Sequence, residues 1–477
     1  MPPVHGKMPI LIVDLDDTLL KSDMLFETFW NSVSTKWTNV FMAVSAALGG
    51  KARLKRWLVD HSFVDVSTLP YNQDVLQYIK DWRAKGGQTA LVSASDEKVT
   101  KEIAEHLGLF DETHGSNGEA NLKGITKANF LRERFGENGF AYVGDSHADL
   151  SVWREASDII TINASTSLKR KVEEIGTALH IGTAKADTKS YVKALRPHQW
   201  LKNCLVFIPI LASQSFSVQN IFSAIAAFVA FSLIASSVYI TNDLLDLSAD
   251  RSHPRKRSRP FASGSIPLSH GTLLSIGLLC AGFLVSLQLG TTFLAVMVLY
   301  LTVTFAYSLD LKRRVIIDIC VLAGLYTLRI IAGGAATQIP LSVWLLAFSI
   351  FFFFSLAAIK RQAELVDLKN RNELAATGRG YHVDDLNLMS QISISSGFLS
   401  VLVMALYVNS PAILVLYKSP IALWGICPIL LYWITKMVMV TQRGQMHDDP
   451  LVFAVTDRAS QVCFGLILLI VVGGAII

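Results

Sequence analysis

From about residue 198 onward the chain is dominated by apolar runs, most of them close to the ~20 residues a helix needs to cross hydrocarbon. Lipid offers no hydrogen bonds to a backbone, so runs of this length read as helices, and the second half as an all-α polytopic membrane domain. Nine crossings are expected, at 199–214, 219–242, 271–289, 291–308, 316–336, 341–359, 389–408, 420–441 and 459–477. Pro209 interrupts the first. Residues 1 to about 190 are mixed, charged and water-soluble in character, so the mean hydropathy of +0.41 averages two unlike halves. The expected division is a soluble domain over 1–190 and a membrane domain over 191–477, with 176–197 and its Lys185, Lys189 and Lys193 as the link.

Charge sets the orientation. The connections after crossings two, four, six and eight carry four basic groups. These are Arg251, Arg255, Lys256, Arg257 and Arg259; Lys312, Arg313 and Arg314; Lys360, Arg361, Lys369, Arg371 and Arg379; then Arg443 and Arg458. The opposite connections carry only Lys418. By the positive-inside rule the basic set faces the cytoplasm across a plasma or inner membrane, the soluble half lies with it, and Ile477 ends on the far side. No signal peptide is expected, because Met8–Val13 is a short apolar run that leads into Asp14. Cys204, Cys280, Cys320, Cys427 and Cys463 all lie in the apolar half without metal-like spacing, and read as free, buried thiols. The net charge of +5 follows the basic connections; without a recognition motif or a basic-aromatic tract, nucleic acid is excluded as a partner.

The same connections hold the acids: Asp310 and Asp318, Glu364 and Asp367, Asp448 and Asp449, and Asp457. Acids contribute little to orientation, so they point to chemistry. The most telling set is Asn242-Asp243-Leu-Leu-Asp246-Leu-Ser-Ala-Asp250 at the end of crossing two. If the helix continues, Asp243, Asp246 and Asp250 fall on one face. Carboxylates clustered at a membrane boundary are costly without a cation. Mg²⁺ takes carboxylate oxygens and keeps positions open for phosphates. With the basic run 251–259 directly after it, the segment reads as a site for a metal-bound diphosphate.

The NDxxDxxxD pattern, the nine crossings and the charged connection after the sixth resemble UbiA-type intramembrane prenyltransferases over about 195–477. The resemblance is closer to the decaprenyl-phosphate phosphoribosyltransferase branch. It is carried by Arg196-Pro-His-Gln-Trp-Leu-Lys202-Asn203, by His253-Pro-Arg-Lys256-Arg257-Ser-Arg259-Pro260, and by Met446-His-Asp-Asp449-Pro450 with Asp457-Arg458. Quinone-type members carry a second Asp-rich motif after crossing six; here that stretch is Lys360-Arg361-Gln-Ala-Glu364-Leu-Val-Asp367, which favours a phosphate-rich substrate. The resemblance implies that phosphoribosyl pyrophosphate (PRPP) binds through Mg²⁺ on Asp243, Asp246 and Asp250, with Asp243 and Asp246 catalytic. Asn242, Lys202, Lys256, Arg257, Lys312, Lys360 and Arg361 would hold substrate phosphates. A polyprenyl phosphate would attack the anomeric carbon and pyrophosphate would leave. The alternatives are an aromatic or quinone-type prenyltransferase beside an independent phosphatase, and a transporter or scaffold with a regulatory soluble domain.

The soluble half alternates strand and helix patterns, which suggests a parallel α/β sheet. Ile10-Leu-Ile-Val-Asp14-Leu-Asp16-Asp17-Thr18 is a buried strand ending in carboxylates. Gln88–Ser93 is a strand ending in a hydroxyl, Lys127 opens a helix, and Phe140–Gly144 leads into Asp145 and Asp149. Ligands of such sheets gather at the carboxyl ends of strands. In this order the four sets resemble the haloacid dehalogenase (HAD) phosphatases, a Rossmannoid α/β fold, over about 8–190. The resemblance makes Asp14 the nucleophile and Asp16 the general acid/base, with Ser93 and Lys127 on the phosphate. It places Mg²⁺ on Asp14, Asp16, Asp145 and Asp149. Residues about 20–88 are expected to form a helical cap. Its Phe26, Phe29, Trp30, Trp37, Phe41 and Met42 read as cap core, with a membrane-facing surface as the alternative. Since a phosphoribosylated lipid carries a phosphomonoester, the two halves are expected to act in sequence.

Overall fold

The computed structural model describes residues 8–117, 121–182, 188–374, 379–446 and 449–476; Lys185, His447, Asp448 and Ile477 lie outside them. The contacts divide into two compact units, Met1–Leu195 with Tyr239–Ser275, and Arg196–Val238 with Ile276–Ile477. The acidic segment 242–250 therefore packs with the soluble half rather than with most of the spans.

The soluble part begins with β1 (Ile10–Val13), then α1 (Met24–Thr35), α2 (Asn39–Leu48) and α3 (Lys51–Asp60). It continues through α4 (Gln73–Ala84), β2 (Thr89–Asp96), α5 (Glu97–Leu107), β3 (Glu112–Ser116), α6 (Ile125–Phe135) and β4 (Phe140–Gly144). It ends with α7 (Leu150–Trp153), β5 (Asp158–Ile162), α8 (Thr166–Glu173), β6 (Ala178–Ile181) and α9 (Thr188–Leu195). The six strands pair in parallel in the order β3-β2-β1-β4-β5-β6. Side chains alternate across the pleat: Leu11 and Val13 pack with Val75, Ile79, Val99 and Ile103 on one face, and Ile12 packs with Leu131, Trp153 and Val172 on the other. The strand order reverses about β1, so the loops after β1, β2 and β4 open into the crevice where such sheets bind ligands. The helical cap is shorter than expected. It ends with α3, because Val75, Leu76 and Ile79 commit α4 to the sheet.

The remaining helices are α10 (Ile208–Ser213), α11 (Val218–Leu245), α12 (Leu247–Ser252), α13 (Leu268–Gln288), α14 (Thr291–Leu309) and α15 (Ile317–Thr337). They are followed by α16 (Val343–Asn370), α17 (Leu386–Val408), α18 (Pro411–Leu416), α19 (Ile426–Gln442), α20 (Pro450–Thr456) and α21 (Arg458–Ile476). Among the described residues eight helical segments are long and apolar enough to cross a membrane, not nine. The expected crossing at 199–214 is broken instead into a tight-turned segment, Pro197–Phe207, and the short α10, with Pro209 in its first turn. It nevertheless runs antiparallel along α11. Trp200 donates to Ser236, Asn203 donates to Ser232, and Phe207 lies against Phe228. At about 2 Å per residue a 3₁₀-like path advances farther than an α-helix of equal length, so a short broken segment keeps pace with a long helix. Gly333 of α15 makes room for it, since a Cβ there would stand 2.1 Å from the Val206 carbonyl oxygen.

α16 has 28 residues, roughly 40 Å, so it outruns the hydrocarbon and carries Lys360 and Arg361 on a helix rather than in a connection. The five cysteines are free, but Cys204, Cys280 and Cys320 are exposed, contrary to the expected burial, because the outer faces of apolar spans have no protein packed on them.

Candidate active sites

The first site lies at the strand ends around β1. Asp14 follows the buried strand directly, and its Oδ1 accepts from the Leu15 amide at 2.8 Å and pairs with Lys127 Nζ at 2.8 Å. Lys127, buried at the start of α6, also donates to the Tyr142 hydroxyl at 3.1 Å. Tyr142 in turn donates to Asp149 Oδ1 at 2.8 Å, and the other oxygen of Asp149 takes the Ser146 amide and hydroxyl. Asp145 accepts from Thr18 at 3.1 Å. Oxygens of Asp14, Asp145 and Asp149 lie within 4.8 Å of one another, the one such group among the described residues.

Asp16 is turned elsewhere. Its Oδ1 accepts from the Met24 amide at 2.8 Å, and its Oδ2 from Ser95 at 2.6 Å, with Ser93 at 3.5 Å. The start of α1 thus positions this carboxyl, and three of the four carboxylates expected to share a metal converge while Asp16 stands apart. Ser95 carries the shorter contact; sequence spacing singled out only Ser93. From α3, Lys55 donates to the Ala94 carbonyl at 2.6 Å.

Burial pushes the Asp14 and Asp16 carboxyls up to about 6. Asp145 is pushed up to about 8, by burial first and then by Asp149 and Asp14. Three oxygen donors that repel one another at this spacing fit a hard divalent cation. A carboxyl raised from its ordinary 3.8 holds its proton longer in the folded state, so its contribution to stability is full below pH 4 and is lost as pH rises through about 8 for Asp145. The melting temperature of the detergent-solubilised chain without divalent ions should therefore fall between pH 5 and pH 8. Added Mg²⁺ should raise it more at pH 8 than at pH 5; an equal rise at both would count against this group as the metal site.

The second site is the acidic segment. Asp243 closes α11 and Asp250 lies in α12; both are buried, and Nη1 of Arg259 bridges them at 3.1 and 2.6 Å. Asp246 falls at the break between the helices and is exposed, so the three carboxylates do not form one cluster. The guanidinium between Asp243 and Asp250 shows that this pair accepts a cation. Burial raises the Asp250 carboxyl in spite of Arg259. Asn242 is half-buried, and Lys256 and Arg257 are exposed on a short turn. Arg251 points away, onto Glu27 of α1 at 2.6 and 3.0 Å.

In the second unit Asp449 caps α20 and gathers Lys202 at 2.8 Å, Lys360 at 3.2 Å and the Tyr326 hydroxyl at 3.3 Å. Burial alone would raise this carboxyl, but Lys360 and Lys202 hold it well below the usual range. Arg361 is fully buried against Asp318 at 2.8 Å and against Glu364, so its charge is spent inside the protein rather than offered to a substrate. Lys312 is half-buried. Sequence reasoning missed Asp449 as a hub. It also missed Arg329, buried in α15 with Asn203 at 3.0 Å and Tyr300 at 3.4 Å, although an arginine inside a span is itself a signal.

A cation-accepting acidic pair at the end of a membrane-length helix, with a phosphatase-type cleft at the ends of a parallel sheet, defines a polytopic membrane transferase joined to a hydrolase domain. The chain belongs to the UbiA prenyltransferase family, whose model matches residues 204–456. The haloacid dehalogenase-like hydrolase model matches residues 41–154, a range that holds Ser93, Lys127, Asp145 and Asp149 but not Asp14 or Asp16. The chain is 36% identical to the uncharacterized protein y4nM of Sinorhizobium fredii over 95% of its own length and 88% of that protein's. It is 35% identical to the nodulation protein NoeC of Azorhizobium caulinodans, over 59% of this chain and 91% of that one. It is 42% identical to the decaprenyl-phosphate phosphoribosyltransferase of Mycobacterium tuberculosis, over 36% of this chain and 59% of that protein. The family and the eight apolar helical segments make it an integral membrane protein.

Proposed function

We propose that the membrane domain transfers a 5-phosphoribosyl group from PRPP to a polyprenyl phosphate, and that the HAD domain then removes the 5-phosphate. The observation that carries the first step is the 42% identity to a decaprenyl-phosphate phosphoribosyltransferase. The acidic pair Asp243 and Asp250 adds the chemistry such a donor needs. The phosphate oxygen of the lipid attacks the anomeric carbon, the bond to pyrophosphate breaks, and pyrophosphate departs. Asp243 and Asp250 would hold Mg²⁺ for the diphosphate, with Asn242, Lys256 and Arg257 as candidate phosphate ligands of the same unit; Lys202, Lys312 and Lys360 are candidates from the resemblance. Mg²⁺ supplies charge neutralisation for the phosphates in both sites.

In the second step Asp14, oriented by the Leu15 amide and Lys127, attacks phosphorus. Asp16 protonates the departing ribose oxygen and later takes a proton from the water that hydrolyses the aspartyl phosphate. Its raised pKa suits both duties near neutral pH. Ser93 and Lys127 hold the transferring group, and Asp145 and Asp149 would hold Mg²⁺ with Asp14. We place both sites on the cytoplasmic side. The basic connections support this, as does the Glu27–Arg251 pair, which ties the HAD domain to the connection after α11.

Mass spectrometry of lipids formed from PRPP, Mg²⁺ and a polyprenyl phosphate tests both steps. The natural chain should yield polyprenyl-phosphoryl ribose, and Asp14→Asn should accumulate a product heavier by one phosphate. Identical products from both would refute the coupling and leave the transferase standing. Turnover of a prenyl diphosphate with an aromatic acceptor, and none of PRPP, would select the aromatic prenyltransferase instead.

A further inference from the structure

α2 is built inside out. Its ten residues bury only two small side chains, Ala43 and Ala46. The large ones face outward: Phe41 is 67% exposed and Leu48 87%. Phe41, Val44 and Leu48 recur at helical spacing along one stripe, exposed Trp37 in the turn before the helix lies against Phe41, and Met42 and, after α3, Phe63 are exposed as well. A helix that is apolar all round belongs in a core or in lipid, and a contiguous exposed apolar patch marks an interaction surface. The expectation that Trp37, Phe41 and Met42 form the core of the cap is thereby corrected; of that aromatic set Trp30 is the buried member.

Two further observations say what covers the stripe. The preceding helix is fastened to a span: Trp30 of α1 donates to Thr272, in the first turns of α13, at 3.0 Å. The charge around the stripe is of one sign. Exposed Lys36 precedes α2, exposed Lys51 and Arg53 follow it, and no acid occurs between Glu27 and Asp60. Apolar residues flanked by cations match acyl chains beneath phosphate headgroups. A second copy of this chain would bring the same cations together.

We infer that α2 is an interfacial helix that lies in the lipid surface of the bilayer holding the spans. It keeps the cap where the phosphate of a lipid-linked substrate is held. The consequence for substrate rests on the phosphatase reading above; the lipid contact does not. A photoreactive residue replacing Phe41, and separately Leu48, in the full chain reconstituted into phospholipid nanodiscs tests the contact. Adducts to phospholipid are expected at both positions. Adducts to a second copy of the chain, or no adduct to lipid or protein, would overturn the inference. A Phe41→Glu, Leu48→Glu double variant adds a kinetic reading. Its KM for a lipid-linked phosphomonoester should rise about tenfold, while kcat on p-nitrophenyl phosphate stays within about twofold. Lipid adducts without that KM change would separate a correct contact from a wrong assignment of the phosphatase substrate.

Discussion

On the proposed reactions, Asp243→Asn should lower phosphoribosyl transfer about a hundred- to a thousandfold, while the chain still folds and still hydrolyses a water-soluble phosphomonoester. Folding should survive for a local reason. Asp243 and Asp250 share Nη1 of Arg259, and Asp250 makes the shorter contact, 2.6 against 3.1 Å, so the guanidinium keeps a charged partner when Asp243 becomes a neutral isostere. Pyrophosphate would gain negative charge as it leaves, and the cation that Asp243 and Asp250 would hold is what answers that charge. Fixed stabilisation of developing charge is worth about 3–4 kcal/mol, or 10²–10³ in rate. Initial rates with PRPP, against phosphatase rates from the same preparation, separate the two effects. A transporter or scaffold predicts no change; retained PRPP turnover in the variant would remove Asp243 from the site.

What the sequence showed of these sites depended on how local their cause is. β1 was readable because Ile10–Val13 is a continuous apolar run closed by Asp14, and a strand buried on both faces needs that pattern. Lys127 was readable as the first basic residue of a helix in the right order along the chain, and it stands 2.8 Å from Asp14. The stacking of Asp243, Asp246 and Asp250 assumed one unbroken helix, whereas Asp246 sits at a break with φ −97° and ψ 15° and is exposed while the other two are buried. The Asp449 hub was out of reach, because Lys202, Lys360 and Asp449 are brought together by helix packing that no local pattern encodes. Arg361 shows the converse: a basic residue beside the phosphate-binding candidates proves to be neutralised internally by Asp318 and Glu364. Trp37, Phe41 and Leu48 are apolar like any core residues, and only their outward direction sets them apart from a cap interior.

Glu27→Ala should be among the most destabilising single substitutions in the soluble half. Glu27 is 3% exposed, and both its oxygens are taken by Arg251, at 2.6 and 3.0 Å. Among the described residues Arg251 also donates from Nε to the Ala262 carbonyl at 3.1 Å. Removing the carboxylate strands a buried guanidinium, which costs about 3–5 kcal/mol, far more than the pair itself contributes relative to apolar residues of the same volume. That asymmetry fixes the companion result. Glu27→Ala with Arg251→Leu should recover most of the lost melting temperature of the detergent-solubilised chain, because no unpaired charge remains. The single variant should also lower phosphatase kcat more than it raises KM. Glu27 lies one turn beyond Met24, whose amide holds Asp16, so loosening the start of α1 would free the carboxyl proposed as acid/base before it weakens phosphate binding. A single variant as stable as the parent would mean the pair is absent in solution. A double variant no better than the single one would mean the loss came from the helix, not from the stranded charge.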